Sequence, residues 1–156
     1  MITIEIPGRD TLHIKHIVLD FNGTLATHGV ISNEARQLLT ELAKEVRLFV
    51  LTADTLGNAA EACKGLPVVL KTFPNDRAGL HKTRVVEELD PQYCACIGNG
   101  FNDVGMFEKA ALTIGVLGAE GICAKLISHS DIIVSSIEDG LALFLDTKKI
   151  IATLRS

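Results

Sequence analysis

Val18-Leu19-Asp20-Phe21-Asn22-Gly23-Thr24-Leu25 is the stretch on which the reading of this 156-residue chain turns. The apolar run Ile17-Val18-Leu19 predicts a buried strand, and Gly23 marks where that strand must break. Asp20 then stands at a strand's carboxyl end, where open α/β sheets keep their ligand crevice. A carboxylate followed by a glycine and a hydroxyl suits covalent phosphoryl chemistry. Asp20 can attack phosphorus, and the backbone around Gly23 can come close to phosphate oxygens. An Asx-turn at a strand end needs only Asp20 and Gly23, so the octapeptide has to be weighed with the rest of the chain.

Toward the amino terminus, Ile2, Ile4 and Ile6, then Leu12 and Ile14, alternate with polar residues around Pro7-Gly8. This predicts a short antiparallel hairpin covering a sheet edge or an end of the molecule. Toward the carboxyl terminus, residues 25–31 read as a loop or short hairpin. Ser32 caps a helix whose apolar stripe is Ala35, Leu38, Leu39 and Leu42. Buried strands are predicted at 46–51, 68–70, 93–97, 113–116 and 132–134. Helices are predicted at 56–64, 77–89, 104–111, 122–128, 137–145 and 149–154. The alternation implies a three-layer α/β/α sandwich, a Rossmann-like, mostly parallel sheet covered on both faces. No linker, repeat or low-complexity segment divides it, so residues 1–156 read as one domain.

Composition excludes several classes. Apolar residues at 47% with 22% charged describe a globular chain rather than a disordered one. A net charge of -4 without a Lys/Arg run argues against nucleic acid or an anionic membrane surface as partner. There is no basic start followed by an apolar signal core and no bilayer-spanning run, so a cytoplasmic protein is expected. The four cysteines lack the paired spacing of a zinc site. Cys94 and Cys96 alternate within a strand, Cys63 and Cys123 fall in helices, and all are expected as reduced thiols.

Four stretches can converge at the carboxyl edge of the sheet. Asp20 ends the first buried strand, and Thr52 ends the second within Leu51-Thr52-Ala53-Asp54-Thr55. Lys82 lies near the start of the 77–89 helix. Gly98-Asn99-Gly100-Phe101-Asn102-Asp103 ends the fourth strand. Together they supply a nucleophilic carboxylate, a hydroxyl donor for a phosphate oxygen, a cation and an oxygen-rich loop. Mg²⁺ takes hard oxygen ligands, and Asp20 and Asp103 are the natural carboxylate pair. Lys82 would screen phosphate charge and hold the Asp20 carboxylate. Each stretch also has a plain structural account. Thr52 can be a strand-end hydroxyl, with Asp54 or Thr55 as a helix cap, and Lys82 a solvated lysine. Asn102 or Asp103 can cap the helix from Val104, with Gly98 and Gly100 as turn glycines. All four in this order favour the chemical account.

That order, Asp-x-x-Gly-Thr-Leu, strand-end Thr, helical Lys and Gly-x-Gly-x-Asn-Asp, resembles the haloacid dehalogenase superfamily of phosphatases. It is most similar to the small soluble proteins related to the phosphorylation domain of P-type ATPases. The resemblance implies a Mg²⁺-dependent enzyme in which Asp20 is the nucleophile and forms an aspartyl-phosphate. It makes Thr52 and Lys82 its catalytic partners, and Asn22, Gly23 and Ala53 further contacts to phosphate. It implies Mg²⁺ held by Asp20, the Asn22 backbone carbonyl and Asp103, with Asn99 in the metal loop and Asn102 supporting that loop.

The chain departs from the family pattern twice. Asn22 stands where phosphatases carry a second Asp, which protonates the leaving group and activates water. A neutral amide cannot shuttle a proton, and such help is worth roughly 10²–10⁴-fold. P-type ATPases also lack that Asp. Asn99 stands where Asp is usual, so the metal site loses a charge. The expectation is a slow or specialised phosphatase acting on a phosphorylated substrate, small or macromolecular. The alternative is a non-catalytic phosphate-binding or phospho-accepting module that works through a protein partner. A nucleotide-binding domain is disfavoured, because no Walker-type loop is present. The intervals between motifs leave no room for a cap domain, so the site should be open. Water exclusion then falls to a second subunit of a homo-oligomer, to a large substrate, or to neither. His28 and His81 lie near motif residues and are candidates for the missing proton shuttle.

Overall fold

The amino-terminal alternation forms the expected hairpin, β1 (Ile2–Ile4) pairing antiparallel with β2 (Leu12–Ile14). Ile4 and Ile14 turn inward and are fully buried. The chain then crosses the lower end of the main sheet, where the Lys15 N–H donates to Tyr93 O at 2.9 Å and Lys15 O accepts from Arg47 N–H at 2.9 Å. The hairpin therefore closes an end of the molecule, the one remote from Asp20.

The later apolar runs form one parallel sheet in the computed structural model, which describes residues 1–54 and 57–156. Its strands are β3 (His16–Asp20), β4 (Arg47–Thr52), β5 (Val69–Thr72), β6 (Cys94–Gly98), β7 (Leu112–Val116) and β8 (Ile132–Val134), in the spatial order 5-4-3-6-7-8. The helices are α1 (Asn33–Leu42), α2 (Ala59–Ala62), α3 (Ala78–Glu88), α4 (Val104–Lys109), α5 (Ala124–Ile127), α6 (Ile137–Leu145) and α7 (Thr147–Leu154).

Alternate residues of each strand feed two apolar layers. Ile17, Leu19, Leu48, Val50, Ala95 and Ile97 pack with the stripes of α1, α6 and α7. Val18, Phe49, Leu51, Cys94 and Cys96 pack with α3, α4 and α5. Truncating a fully buried leucine such as Leu19 would cost about 2–5 kcal/mol. All four cysteines are free. Burial pushes the Cys94 thiol up to about 11 and Cys96 well above the ordinary thiol range. Among the described residues no helix is long and apolar enough to cross a membrane.

Two expected helices are shorter than predicted. α2 covers four residues of the 56–64 expectation, because Gly57 at φ +70° delays its start to Ala59 and Gly65 at φ +78° closes it. Residues 55 and 56 lie outside the described ones. α5 likewise covers four residues of 122–128, since Gly118 and Gly121 form a bridge and the Cys123 N–H is tied to Asn99 O at 2.7 Å. Cys63 and Cys123 consequently flank their helices rather than lie within them.

The strand order fixes where a ligand can bind. From β3 the chain winds outward through β4 and β5, returns to the other side of β3 at β6, and winds outward again through β7 and β8. The carboxyl ends of β3 and β6 therefore flank a topological switch point, which opens a crevice in doubly wound sheets. Register places Asp20 opposite Leu51 on one side, and Leu19 opposite Ile97 on the other. Asp20 is thus level with the start of both neighbouring strand-end motifs.

Candidate active site

The loop that carries Asp20 is built by the backbone. Ala26 and Thr24 N–H groups return to Phe21 O at 2.9 and 3.2 Å, and the Gly23 N–H donates to Ala26 O at 3.0 Å. Phe21 is fully buried and anchors the turn. Gly23 has φ +76°, a conformation that favours glycine. A Cβ there would stand 2.2 Å from Glu120 Oε2 and 2.7 Å from Asn99 Nδ2. Gly23, expected as a phosphate contact, sits here as a turn residue of the Asp20 loop. Its N–H is already spent within the loop, and its lack of a side chain lets Asn99 and Glu120 approach.

Lys82 is drawn into the site by α3. Ala78, Lys82, Val85 and Val86 form the buried face of that helix, so the lysine stem lies in an apolar stripe and only the ammonium meets polar groups. Nζ donates to Asp20 Oδ1 at 2.6 Å, Asp103 Oδ1 at 2.7 Å and Asn102 Oδ1 at 3.1 Å. Its three protons are all used. The account of Lys82 as a solvated lysine is excluded, since it is 1% exposed.

Asp103 is fully buried. Its Oδ2 accepts the backbone N–H groups of Asn99 at 3.1 Å and Gly100 at 3.0 Å, so this carboxylate shapes the loop after β6. Gly98 is required beside it, because a Cβ there would lie 2.5 Å from Asp103 Oδ2. Asp103 stands behind the wall of the site and brings its charge there without facing the opening.

Two carboxylates against one ammonium leave this buried cluster with a net negative charge. Burial, then repulsion from Asp103, pushes the Asp20 carboxyl up to about 6, with Lys82 and Thr24 partly offsetting both. Burial works to lower the Lys82 ammonium, but the Asp20 and Asp103 carboxylates outweigh it and the net direction is up.

Above the cluster lies an open cleft of about 410 Å³. Asp20, Asn22, Thr52, Ala53, Lys82, Asn99 and Asn102 all line it, and Gly100, Phe101 and Glu120 complete the wall. Thr52 is buried, and its hydroxyl accepts the Asp54 N–H at 2.9 Å. Among the described residues the hydroxyl proton has no acceptor of its own, which leaves Thr52 a donor facing the cleft. Asp54 caps downstream through Oδ1, which accepts the Ala59 N–H at 3.1 Å. Thr55, the other expected cap, lies outside the described residues. His28 is on an exposed turn and His81 stacks on Phe73 at 5.1 Å, and neither lines the cleft.

The oxygen donors fit a hard divalent cation. Thr24 Oγ1 lies 3.0 Å from both Asp20 Oδ2 and Asn99 Oδ1, yet it has one proton for these two acceptors. One acceptor oxygen is therefore left without a donor, next to a carboxylate in a negatively charged site. Among the described residues no three His, Cys, Asp or Glu side chains gather as a metal cluster. The donor set is carboxylate, amide and carbonyl oxygen, the chemistry that suits Mg²⁺ rather than zinc.

Two residues, Thr24 beside the cleft and Glu120 in its wall, were given no role of their own from the sequence. Thr24 was visible in the motif itself as the hydroxyl four residues past Asp20. Glu120 could have been found from Gly118-Ala119-Glu120-Gly121, a carboxylate between glycines directly after a buried strand.

No family model matches the chain. It is 40% identical over 78 residues to the uncharacterized protein MJ0073 of Methanocaldococcus jannaschii, a match covering 47% of this chain and 84% of that protein. A 59-residue stretch, 38% of this chain, is 39% identical to the phospholipid-transporting ATPase neo1 of Schizosaccharomyces pombe and covers 6% of it. Among solved structures, the 3-deoxy-D-manno-octulosonate 8-phosphate phosphatase of Moraxella catarrhalis, in complex with magnesium ion, phosphate ion and KDO, superimposes with a TM-score of 0.71. The two are 20% identical, over 92% of this chain and 94% of that one. The cobalt-bound deoxy-D-mannose-octulosonate 8-phosphate phosphatase of Haemophilus influenzae gives a TM-score of 0.72 at 11% identity, over 92% and 94% of the two chains.

Proposed function

Since this chain belongs to one family with the uncharacterized protein MJ0073 and has the haloacid dehalogenase fold, we propose that it is a Mg²⁺-dependent phosphatase acting through an aspartyl-phosphate on Asp20. The observation that carries this reading is the buried Asp20–Lys82–Asp103 cluster opening into a cleft at the switch point.

One carboxylate oxygen of Asp20 would donate an electron pair to phosphorus while the bond from phosphorus to the leaving oxygen breaks and its electrons leave with that oxygen. The Thr52 hydroxyl, the Ala53 backbone and the Lys82 ammonium would hold the phosphoryl oxygens. Lys82 and Thr24 fix the two Asp20 oxygens beforehand, so little reorganisation is needed at the moment of attack. Water then attacks the phosphoryl group and regenerates Asp20 with release of phosphate. Asn22, at the mouth of the cleft, has no proton to give or take, so the leaving oxygen and the attacking water must exchange protons with solvent. This makes slow hydrolysis of the phosphoenzyme the expected limit.

Asp20, the Asn22 carbonyl and Asn99 would hold Mg²⁺, with Asp103 contributing charge from behind. The metal, when bound, supplies positive charge to the phosphoryl oxygens. An open cleft also suits a phosphorylated substrate that brings its own bulk.

The test is phosphate release from a monoester with a good leaving group, which needs little protonation and so forgives Asn22. Release that requires Mg²⁺ and vanishes in Asp20→Asn is expected. Absence of release from folded, metal-loaded protein would overturn the reading in favour of a phosphate-binding module.

A further inference from the structure

Asn22 and Asn99 both put a neutral amide where a carboxylate would serve the reading above, yet the cleft is not short of acid. Glu120 lies in the loop after β7, the strand next to β6. The Gly118–Gly121 bridge, closed by the Gly121 N–H on Gly118 O at 3.0 Å, folds this loop back over the Asp20 turn. Glu120 Oε2 and Asn99 Nδ2 crowd one point, that of the absent Gly23 Cβ, at 2.2 and 2.7 Å. The Asn99 amide is oriented at both ends. Its Nδ2 donates to Gly121 O at 3.2 Å on the Glu120 side, and its Oδ1 faces Thr24 and Asp20. Glu120 thus stands at the nitrogen edge of the amide whose oxygen edge is turned toward the nucleophile. It lines the same cleft as Asp20, and among the described residues it forms no ion pair.

We propose that Glu120 supplies to the divalent-cation site the negative charge that the Asn99 amide does not, from the loop after β7 instead of the loop after β6. The inference rests on the metal-dependent reading of the Asp20 site. Three features favour a charge role over a structural one. The carboxylate forms none of the hydrogen bonds that build the loop, which are made by backbone groups of Gly118 and Gly121. Gly23 is held at φ +76° with no side chain where the carboxylate comes closest. A cation within reach of Asp20 and Asn99 Oδ1 would lie in the same cleft as the Glu120 carboxylate and within range of its charge.

Glu120→Gln keeps the shape of the side chain and removes only its charge, and the exposed loop position gives no reason for misfolding. The measurement is Mn²⁺ binding to the full chain by electron paramagnetic resonance, without substrate and independent of turnover. Partners that support a metal site without ligating it typically change affinity by about 10–100-fold, and a loss in that range is expected for Glu120→Gln. Adding Asn99→Asp to Glu120→Gln should recover most of the loss, because a carboxylate on either loop supplies the same charge. Unchanged Mn²⁺ affinity in Glu120→Gln, with binding still lost in Asp20→Asn, would overturn this inference and leave the metal site standing. A failure of Asn99→Asp to recover affinity would also overturn it. If the parent chain binds no Mn²⁺, or Asp20→Asn binds as the parent does, the metal-dependent reading falls and this inference with it.

Discussion

The Lys82 ammonium lies 2.6 Å from Asp20 Oδ1, with the two side chains 1% and 10% exposed. One helix interior lysine therefore holds the candidate nucleophile in place, and the same nitrogen reaches Asp103 at 2.7 Å. The pair joins α3 to β3 and the loop after β6 through a single buried charge, so the stability of the site and its chemistry depend on the same atoms.

Lys82→Met should abolish phosphate release and also destabilise the protein. Removing one partner of a buried ion pair leaves the other uncompensated, at a cost of about 3–5 kcal/mol. Here two carboxylates would be left facing each other. Urea unfolding at neutral pH in the presence of a chelator measures the loss.

Asp20→Asn should stabilise the metal-free protein above pH 7. Asp20 has its folded-state pKa raised to about 6 from 3.8, so the stability linked to its protonation is complete below about pH 4 and is lost as pH rises through 6. An asparagine mimics the protonated form at every pH. Its amide can also donate to Thr24 Oγ1, which frees the single Thr24 proton for Asn99 Oδ1. The advantage should approach about 3 kcal/mol at pH 8 and shrink toward pH 4. Thermal unfolding of both proteins across this range in a chelator is the check, and an advantage that grows toward low pH would contradict the account.

Asn22→Asp should speed hydrolysis of the phosphoenzyme. A carboxylate at the mouth of the cleft can take the proton of the attacking water, a contribution of roughly 10²–10⁴-fold. Stopped-flow detection of the released alcohol from a chromogenic monoester should show an initial burst in the parent that disappears in the variant as the steady-state rate rises.

Gly98→Ala should weaken the site without touching the cleft surface. Its Cβ would fall 2.5 Å from Asp103 Oδ2 and 2.6 Å from Cγ, so Asp103 must move or the strand end must bend. Overpacking of this kind typically costs about 1–3 kcal/mol. The displaced carboxylate would also release the Asn99 and Gly100 N–H groups, so a fall in Mn²⁺ affinity should accompany the lower unfolding midpoint.

The parallel sheet and the position of Asp20 were legible because they follow from local signals: apolar runs of strand length, with Asp20, Thr52 and Gly98 ending the three central ones. Lys82 was readable as well, since its spacing from Ala78, Val85 and Val86 puts it on the buried stripe of α3. Less legible was anything decided by hydrogen bonds between loops. The sequence does not show that the Gly23 N–H closes the Asp20 turn on Ala26. Asp103 was expected as a metal ligand, and the three donors that hold it behind the wall follow from the fold of the loop after β6. Glu120 was missed because the loop after β7 folds back onto Gly23, an approach that no spacing along the chain records. The short α5 has the same origin, a backbone tie from Cys123 to Asn99 that competes with the first helical turn.

The most direct test is to mix the protein with Mg²⁺ and a radiolabelled phosphomonoester, quench in acid and map any bound phosphoryl group by peptide mass spectrometry. The account predicts a hydroxylamine-labile phosphoryl group on Asp20 that accumulates during turnover and is absent from Asp20→Asn. Phosphate release with no such species, or with the phosphoryl group on another residue, would contradict it.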